Sequence, residues 1–491
     1  MTLRIRTAIA LAFALPAASA LATDVTGDVW GTWTLAGSPY YLIGDVRVPP
    51  GQTLTIQPGV VVIGQGNYKL LVDHGNLQAV GTVNQPILMT AADQGTGWRG
   101  IILDGADNSS IICRCIIEYA KGTGAYPAVR GGAIHCKNCS PTICHNELRY
   151  NYSHNANYNG TGGGVLTDTS SALIAYNYIH DNIADSGAGV CTTEYGSPRV
   201  VGNLIVGNTA YYAGGGMYFG ARSSPIVENN VILHNSSGGW GGGGINSWTS
   251  YIYYNTFAIV RNNLIAHNSA PSGGAACGGG GVYCRYDRCI LTGNTIADNQ
   301  AYRGGGIYAL NYPAQAPIVT DCIIWGNTAT LGSQIYPDPD TGSHIVVNYS
   351  DVQGGWTGTG NLDVDPEFAD PAADDYHLQA YSKCIDRGDP NFVPQPGELD
   401  IDGQMRVWGG ADLGGRVDMG ADEYGSFAYG DLNCDGTVDG FDIQPFVLAL
   451  TNPAGYGKAY PQCRAKLADV NFDGQVDGFD IQPFVRLLTG G

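Results

Sequence analysis

The sequence is poor in basic residues. Its 491 residues include 24 Lys and Arg against 43 Asp and Glu, which gives a formal net charge of −19 and a pI near 4.6. Phosphate backbones and anionic lipid headgroups bind proteins through clustered positive charge. This charge balance therefore argues against nucleic acid and anionic membranes as partners.

Long amphipathic helical patterns are missing, and so are long apolar runs after the first 22 residues. Residues 1–22 contain Arg4 and Arg6, the apolar run Ala8–Leu15 and small residues up to Ala22, which is the pattern of a cleaved secretory signal peptide. No later apolar run is long enough to span a bilayer. The sequence therefore predicts an exported protein without a transmembrane segment, either secreted or attached to the cell surface.

Glycine and asparagine are abundant instead, and they recur with a regular period. Each unit has an Asn, an apolar pair and a second Asn five positions on, followed by a glycine run and a short β-branched or aromatic strand. The first position of the unit is held by Asn146, Asn177, Asn203, Asn230, Asn263, Asn294 and Cys322. A period in the twenties to low thirties indicates stacked repeats.

The short apolar pieces fit a coil of three short strands joined by corners at which Gly and Asn accept left-handed backbone angles. Stacked coils pair each strand with its neighbours, and inward Asn side chains bond the next coil. The fold class is therefore predicted to be mainly β, a right-handed parallel β-helix over residues 23–345 with an N-terminal cap. Residues 346–426 are predicted to form its acidic, loop-rich end.

The acidic residues are concentrated towards the C-terminus. Residues 361–491 hold 23 Asp and Glu and 8 Lys and Arg, which is −15 of the net charge of −19. The run that contains Ile323–Asn327, Tyr349–Val352 and Asp418–Glu423 resembles the C-terminal part of secreted bacterial β-helix proteins with pectin-lyase-like repeats. That resemblance implies the architecture and no particular enzyme activity.

Two acidic loops in residues 427–491 have the spacing of calcium-binding loops. Oxygen side chains stand at loop positions one, three, five, seven, nine and twelve, with Gly at position six. The predicted ligands are Asp431, Asn433, Asp435, Thr437, Asp439 and Asp442 in the first loop, and Asp469, Asn471, Asp473, Gln475, Asp477 and Asp480 in the second. Positions seven, Thr437 and Gln475, contribute their carbonyl oxygens.

The duplicated loop and exit helix resemble type I dockerins, a family that binds cohesin domains in a calcium-dependent way. The resemblance implies Ca²⁺ as the cofactor, a cohesin-like partner, and two interchangeable faces for that partner. The exit helices are expected at Ile443–Leu450 and Ile481–Leu488, with Pro in the first turn. A Gly-Phe pair precedes each twelfth-position Asp, where many dockerins have small hydroxylated residues. Cys434 and Cys463 are candidates for a disulfide bond.

The catalytic potential of the β-helix depends on which side chains share one position on successive coils. Counting forward from each glycine run gives Lys137, Asp168, Glu194, Arg222, Trp248, and Arg285 with Asp287. Asp168 and Glu194 are the candidate carboxylate pair of a polysaccharide lyase or glycoside hydrolase. Trp248, Tyr195, Tyr286 and Tyr312 are candidates for stacking on sugar rings. The alternative is a glycan- or surface-binding scaffold on which these are solvated loop residues.

The 13 cysteines, all after residue 22, allow disulfides in an oxidising compartment. Cys113 is expected level with Cys144 one coil later, and Cys115 occupies an Asn slot. Cys136 and Cys139, with His135, His145 and Cys144, have the spacing of a zinc site. Disulfides or stacked buried thiols are the alternative for the same residues.

Overall fold

The computed structural model describes residues 22–157, 159–220, 222–248, 257–274, 277–312, 315–407, 415–425, 427–460 and 463–489. The predicted signal peptide, apart from residue 22, lies outside the described residues. Within the described ranges, no helix combines the length and the apolar character needed to cross a membrane.

The chain forms a parallel β-solenoid whose strands stack in four ladders, named here in the order in which a coil visits them. Ladder 1 consists of Gly31–Trp33, Thr53–Ile56, Asn76–Val80, Ile111–Cys113, Thr142–Cys144, Leu173–Ala175, Arg199–Val201, Ile226–Glu228, Ile259–Arg261, Ile290–Thr292, Ile318–Thr320 and Val346–Asn348. Ladder 2 consists of Thr23–Asp28, Tyr40–Val48, Val61–Gly64, Ile87–Ala91, Cys115–Glu118, Glu147–Arg149, Tyr178–His180, Leu204–Val206, Val231–Leu233, Leu264–Ala266, Thr295–Ala297, Ile323–Trp325 and Asp351–Val352.

Ladders 3 and 4 complete each coil. Ladder 3 is short-stranded and consists of Lys121–Gly122, Tyr152–Ser153, Ile183–Ser186, Thr209–Ala213, Ser236–Ser237, Ser269–Ala270, Gln300–Arg303 and Thr328–Leu331. Ladder 4 starts from the long strand Tyr40–Val48, which it shares with ladder 2, and continues through Leu70–Asp73, Ile101–Asp104, Ile134–Lys137, Val165–Asp168, Val190–Thr193, Met217–Phe219, Ile245–Trp248, Val282–Arg285, Ile307–Leu310 and Ile335–Pro337. The sequence predicted three strands per coil, whereas the structure has four. The strand that was not predicted is that of ladder 3, which has mostly two to four residues and lies between the second Asn and the glycine run.

Columns of branched side chains fill the interior of the solenoid. In ladder 1 the middle residue of each strand from Ile111–Cys113 onward points inward, and these residues are almost completely buried: Ile112, Ile143, Ile174, Val200, Val227, Val260, Leu291, Val319 and Val347. Each such side chain contributes about 1.5–3 kcal/mol by leaving water. The core is therefore one continuous apolar column along the axis.

Both predicted Asn positions form ladders in the interior, as Asn208 illustrates. Its Oδ1 accepts hydrogen bonds from the backbone N–H of Asn182 at 3.1 Å and from Asn182 Nδ2 at 3.0 Å. Its Nδ2 donates to the carbonyl oxygen of Ile179 and to Asn235 Oδ1, each at 2.9 Å. The predicted asparagine ladder is confirmed. In the ladder formed by the first Asn of each unit, Cys115 and Cys322 take the place of Asn at the two ends.

The corners differ from the prediction in the residues that form them. The left-handed residue is the one before each ladder Asn, and it is often not Gly or Asn. Tyr176, His234 and His267 have φ of 56°, 55° and 54°. His234 and His267 each precede a second-position Asn and are thus corner residues.

The glycine runs are required by close packing between coils. A Cβ on Gly216 would lie 2.6 Å from the carbonyl oxygen of Gly244 on the next coil. Any side chain at this point would push the coils apart and break the ladder.

The acidic region after the last coil folds back over the outside of ladder 2. We call residues 363–407 and 415–425 the strap. It contains the antiparallel pair Phe368–Asp370 and Asp375–Leu378, and the ring of Tyr376 packs on Leu233, Leu264 and Ala297 of ladder 2. The strap therefore buries a face of the solenoid that would otherwise be exposed.

The described residues of the C-terminal part form three helices: α1 is Ile443–Thr451, α2 is Pro453–Ala459 and α3 is Ile481–Thr489. Short 3₁₀ turns at Gly440–Asp442 and Gly478–Asp480 lead into α1 and α3. Other 3₁₀ turns are Leu35–Gly37, Pro339–Thr341, Pro371–Ala373 and Ala465–Ala468. The predicted exit helices are confirmed.

Candidate functional site

The candidate catalytic residue Asp168 lies at the end of a ladder 4 strand, in a column of charged side chains. Parallel pairing places Asp73 beside Asp104, Asp104 beside Lys137, and Lys137 beside Asp168. Lys137 Nζ is 2.8 Å from Asp104 Oδ2, and Arg130 Nη1 is 2.9 Å from Asp168 Oδ2. Asp168 is thus neutralised by a nearly buried Arg130.

Glu194 lies next to this column and not in it. Asp168 pairs with Thr193, whereas Glu194 is an exposed corner residue with φ of 43°. The expectation that Asp168 and Glu194 stand at the same position on neighbouring coils is therefore wrong by one residue. Asp168 is the fourth residue after Gly164, and the fourth residue after Gly189 is Thr193, so Glu194 lies one position beyond the end of the paired strand.

The other counted residues separate into three environments. Trp248 pairs with Arg285 on the outside of ladder 4. The Arg222 guanidinium lies 4.9 Å from the ring centroid of Tyr195. Asp287 is buried and accepts a hydrogen bond from a serine hydroxyl, and burial raises its pKa to about 7. Asp287 therefore faces the interior and does not join a surface site.

Arginine and aromatic side chains form a surface patch on ladder 4, which we call the Arg285 patch: Trp240, Trp248, Arg285, Tyr286 and Tyr312. The Arg285 guanidinium lies 3.8 Å from the Trp240 ring centroid and 5.7 Å from those of Trp248 and Tyr286. The rings of Tyr286 and Tyr312 stack at 5.4 Å. Arg285 Nε has no hydrogen-bond partner, and no carboxylate among the described residues pairs with this guanidinium. Stacked rings around a cation provide both apolar and electrostatic contacts to a ligand.

His135, Cys136 and Cys139 are buried in the coil, whereas His145 is an exposed corner residue, and these side chains do not gather as a zinc site among the described residues. Cys113 and Cys144 form a disulfide bond between neighbouring coils, as their level position predicted. Burial raises the pKa of the Cys139 thiol to about 11 and lowers that of His135 to about 3. The alternative of disulfides and stacked buried thiols is the one that the structure favours.

The two acidic loops in residues 427–491 fold around their twelfth-position carboxylates. Asp442 Oδ1 accepts hydrogen bonds from the backbone N–H groups of Leu432 at 2.7 Å and Asn433 at 2.9 Å, and its Oδ2 accepts from Asp439 N–H at 2.9 Å. Asp480 holds the second loop in the same way, accepting from Asn471 N–H at 3.1 Å and from the N–H of the ninth-position residue at 2.9 Å. The two loops are thus structural copies.

The donor set of these loops fits a calcium ion. Burial, with the neighbouring negative charge of Asp442, raises the pKa of Asp431 to about 6, and burial also raises the pKa of Asp469. Asp469 Oδ1 is buried without a hydrogen-bond partner. Among the described residues, no Lys, Arg or His forms a salt bridge with the loop carboxylates. Gly436, at loop position six, has the left-handed φ of 90° that the bend requires. Oxygen donors that converge without a salt-bridge partner are what a hard divalent cation needs.

The helices that follow the loops pack against each other at equivalent positions. The rings of Phe446 in α1 and Phe484 in α3 stack at 4.0 Å. A disulfide bond joins Cys434 in the first loop to Cys463, as proposed from the sequence. This small core fixes the two halves together.

The same duplication leaves two equivalent apolar faces in solvent. Phe441 and Phe479 are 77% and 78% exposed. Each is accompanied by an exposed Ile and Val on the following helix. The two sets, which we call the twin faces, are Phe441, Ile443 and Val447, and Phe479, Ile481 and Val485.

Comparison with known proteins supports the fold. Residues 27–115 match the family model of a pectate-lyase-like β-helix domain. Parallel pairing continues the same solenoid to Val352. Together these findings support a pectate-lyase-like β-helix domain and a parallel β-solenoid of the right-handed type.

Two solved structures are similar at a low level. The structure of pectate lyase Pel9A aligns with this chain at 12% sequence identity and a TM-score of 0.33. The alignment covers 75% of this chain and 88% of the Pel9A chain. The structure of the periplasmic alginate epimerase AlgG aligns at 11% sequence identity and a TM-score of 0.33. The alignment covers 66% of this chain and 73% of the AlgG chain. Similarity at this level carries no argument about activity. No curated protein matches the chain significantly.

Proposed function

We propose that the chain is a secreted, polysaccharide-binding β-solenoid that a calcium-loaded C-terminal module attaches to a cohesin-like partner domain. The observation that carries the proposal is the duplication of an acidic loop, an exit helix and an exposed apolar face within residues 427–491. A single exposed face is common on protein surfaces, but two equivalent faces beside two equivalent loops are not explained by stability.

Calcium supplies the link between loop and face. An ion held by the loop carboxylates replaces their mutual repulsion with attraction, so binding free energy becomes folding free energy. The twelfth-position Asp residues immediately precede α1 and α3, and loop closure therefore fixes the helix that presents each apolar face. Attachment through the twin faces should consequently require calcium.

Substitutions in the twin faces test the attachment. Val447→Asp and Val485→Asp each place a charge in one face, while the other face stays intact. We expect each single variant to retain binding to a cohesin domain, and the double variant to lose at least about 100-fold in affinity, since burying an unpaired charge costs several kcal/mol. Surface plasmon resonance with calcium or with chelator measures this.

Ala454→Asp, at an exposed position of α2 and outside the faces, is the matched control. If the double variant bound the cohesin domain as tightly as the wild type, or if the wild type bound equally well in calcium and in chelator, the proposed attachment would be wrong.

The Arg285 patch supports the polysaccharide-binding role. It offers stacking surfaces for sugar rings and an arginine with no acidic partner among the described residues. A uronic-acid polymer presents both a pyranose face and a carboxylate, and it matches this pair of features. We therefore infer an acidic polysaccharide as the ligand class.

Tyr286→Ala should weaken binding to polygalacturonate about tenfold, because one lost stacking contact of about 1.4 kcal/mol corresponds to that ratio. Arg285→Leu should weaken binding to polygalacturonate but leave binding to a neutral galactan unchanged. Tyr381→Ala, at an exposed tyrosine on the strap, serves as the control. Affinity gel electrophoresis measures the affinity of each variant relative to the wild type. Equal affinities for all three variants would exclude the Arg285 patch as the polysaccharide-binding site.

A second candidate function is β-elimination on a uronate polymer at the charged column. Its supporting observation is the alignment of Asp73, Asp104, Lys137 and Asp168 on four successive coils. The Lys137 amine would take the proton from the carbon beside the uronate carboxylate. The bond to the glycosidic oxygen then breaks, a carbon–carbon double bond forms, and solvent protonates the leaving oxygen.

If this activity exists, Lys137→Gln should lower kcat at least about 100-fold, since a general base contributes at least that factor. Asp168→Asn should also reduce turnover, whereas Glu194→Gln, one residue outside the column, should not. Stability should change by about 0.5 kcal/mol or less for the exposed Glu194. The ultraviolet absorbance of unsaturated uronides follows the reaction. Turnover that survives Lys137→Gln, or that requires Glu194, would refute this assignment.

A further inference from the structure

Three side chains of the strap meet at one point on the outside of ladder 2. His377 belongs to the strand Asp375–Leu378, Asp402 to the loop after Asp400, and Asp422 to the segment before Glu423. One ligand atom from each of His377, Asp402 and Asp422 lies within 4.8 Å of the other two. The chain brings these groups together from three separate segments.

The surrounding hydrogen bonds orient these groups as in a metal site. His377 Nε2 is 2.8 Å from Asp402 Oδ2, while its Nδ1 contacts the carboxylate of Asp375. Asp422 Oδ2 accepts a hydrogen bond from Leu378 N–H at 2.8 Å. A carboxylate behind the second ring nitrogen is the usual support of a metal-bound histidine, because it fixes the tautomer and the ring orientation.

A small cavity adjoins the three groups. Its volume is about 20 Å³, and its lining includes Thr295, Tyr376, His377, Asp402 and Asp422. That volume holds one ion or one water molecule and nothing larger. Val231 and Leu264 of ladder 2 form the apolar part of the lining, so an ion here would lie between the strap and the solenoid.

We propose that His377, Asp402 and Asp422 form a binding site for a divalent transition-metal ion that fastens the strap to the solenoid. One imidazole and two carboxylates suit an ion such as Zn²⁺, whereas Ca²⁺ takes oxygen ligands. The site is therefore chemically distinct from the two acidic loops. It does not depend on the proposed function.

The competing arrangement is a metal-free ion triad. A protonated His377 between Asp375 and Asp402 would satisfy the same contacts, and these carboxylates raise the pKa of His377 to about 10. The two arrangements differ in one measurable property, because only the metal site takes up Zn²⁺ at neutral pH.

Zinc titration of the full chain distinguishes them. The protein is stripped with chelator and then held in excess Ca²⁺, so that oxygen-only sites are filled. Calorimetry with Zn²⁺ should show one site per chain, and His377→Gln should abolish it. Asp375→Asn, which removes only the support of the histidine, should weaken zinc affinity about 10- to 100-fold. Zinc should also raise the Tm of the wild type and leave that of His377→Gln unchanged.

Two controls make the result specific. His344→Gln changes an exposed histidine and should retain the site. His234 and His267 stack at 5.0 Å and both face Asp374, so His267→Gln tests whether this nearby pair is the true zinc ligand. Equal Tm values in chelator show that the variants fold. No zinc uptake by the wild type, unchanged uptake by His377→Gln, or uptake lost in His267→Gln but kept in His377→Gln would each overturn the proposal.

Discussion

Asn235→Ala should lower the free energy of unfolding by about 4 kcal/mol, one of the largest effects expected of a single substitution in the solenoid. Asn235 is completely buried. Its Oδ1 accepts from the N–H of Asn208 at 3.0 Å and from Asn208 Nδ2 at 2.9 Å. Its Nδ2 donates to the Ile205 carbonyl at 2.9 Å and to Asn268 Oδ1 at 3.0 Å. Alanine would leave these four partners buried and short of a hydrogen bond, at about 1 kcal/mol or more for each.

Urea denaturation followed by circular dichroism measures the loss. Asn391→Ala, at an exposed asparagine of the strap, should change stability by about 0.5 kcal/mol or less. If the Asn235→Ala and Asn391→Ala variants had the same free energy of unfolding, the asparagine ladder would not be a major source of stability.

The double variant Asp442→Ala and Asp480→Ala should lose calcium binding at both loops and expose residues 427–489 to proteolysis. Each carboxylate closes its loop by accepting backbone N–H groups and stands at the twelfth ligand position. Without them the acidic loops cannot converge, and α1 and α3 lose their anchored starts. We expect rapid tryptic cleavage after Lys458 and Lys466 in the double variant, and slow cleavage in the calcium-loaded wild type.

A second pair of substitutions, with a milder expected effect, distinguishes the loss of a calcium ligand from the loss of loop structure. Asp435→Asn and Asp473→Asn change the exposed fifth-position ligands and leave the closing carboxylates in place. These variants should need higher calcium concentrations for the same protection. Asp340→Ala, an exposed acidic residue outside the loops, should behave as the wild type. Protection that is equal with calcium and with chelator in every variant would contradict the prediction.

Features that repeat along the chain were predictable from the sequence. A buried asparagine needs four hydrogen-bond partners, and only a neighbouring copy of the same coil supplies them, so the spacing alone indicated the ladder. The acidic loops were predictable for a related reason. Ligands that are close in sequence fix their own geometry, as the bend at Gly436 and the closure by Asp442 show.

Features that depend on contacts between distant segments were not predictable. The strap covers ladder 2 through pairs such as Tyr376 with His267, which are 109 residues apart. The cluster of His377, Asp402 and Asp422 has no spacing pattern. Glu194 was misplaced by one position, because the residue at the same distance from its glycine run as Asp168 is Thr193.

Calorimetric titration of Ca²⁺ into the full chain tests most directly whether the C-terminal residues form a calcium-loaded module. The wild type should bind two more ions per chain than the double variant Asp442→Ala and Asp480→Ala, with a gain of helical circular dichroism only in the wild type. Equal calcium uptake by the two proteins, or no uptake by the wild type at millimolar Ca²⁺, would contradict the account.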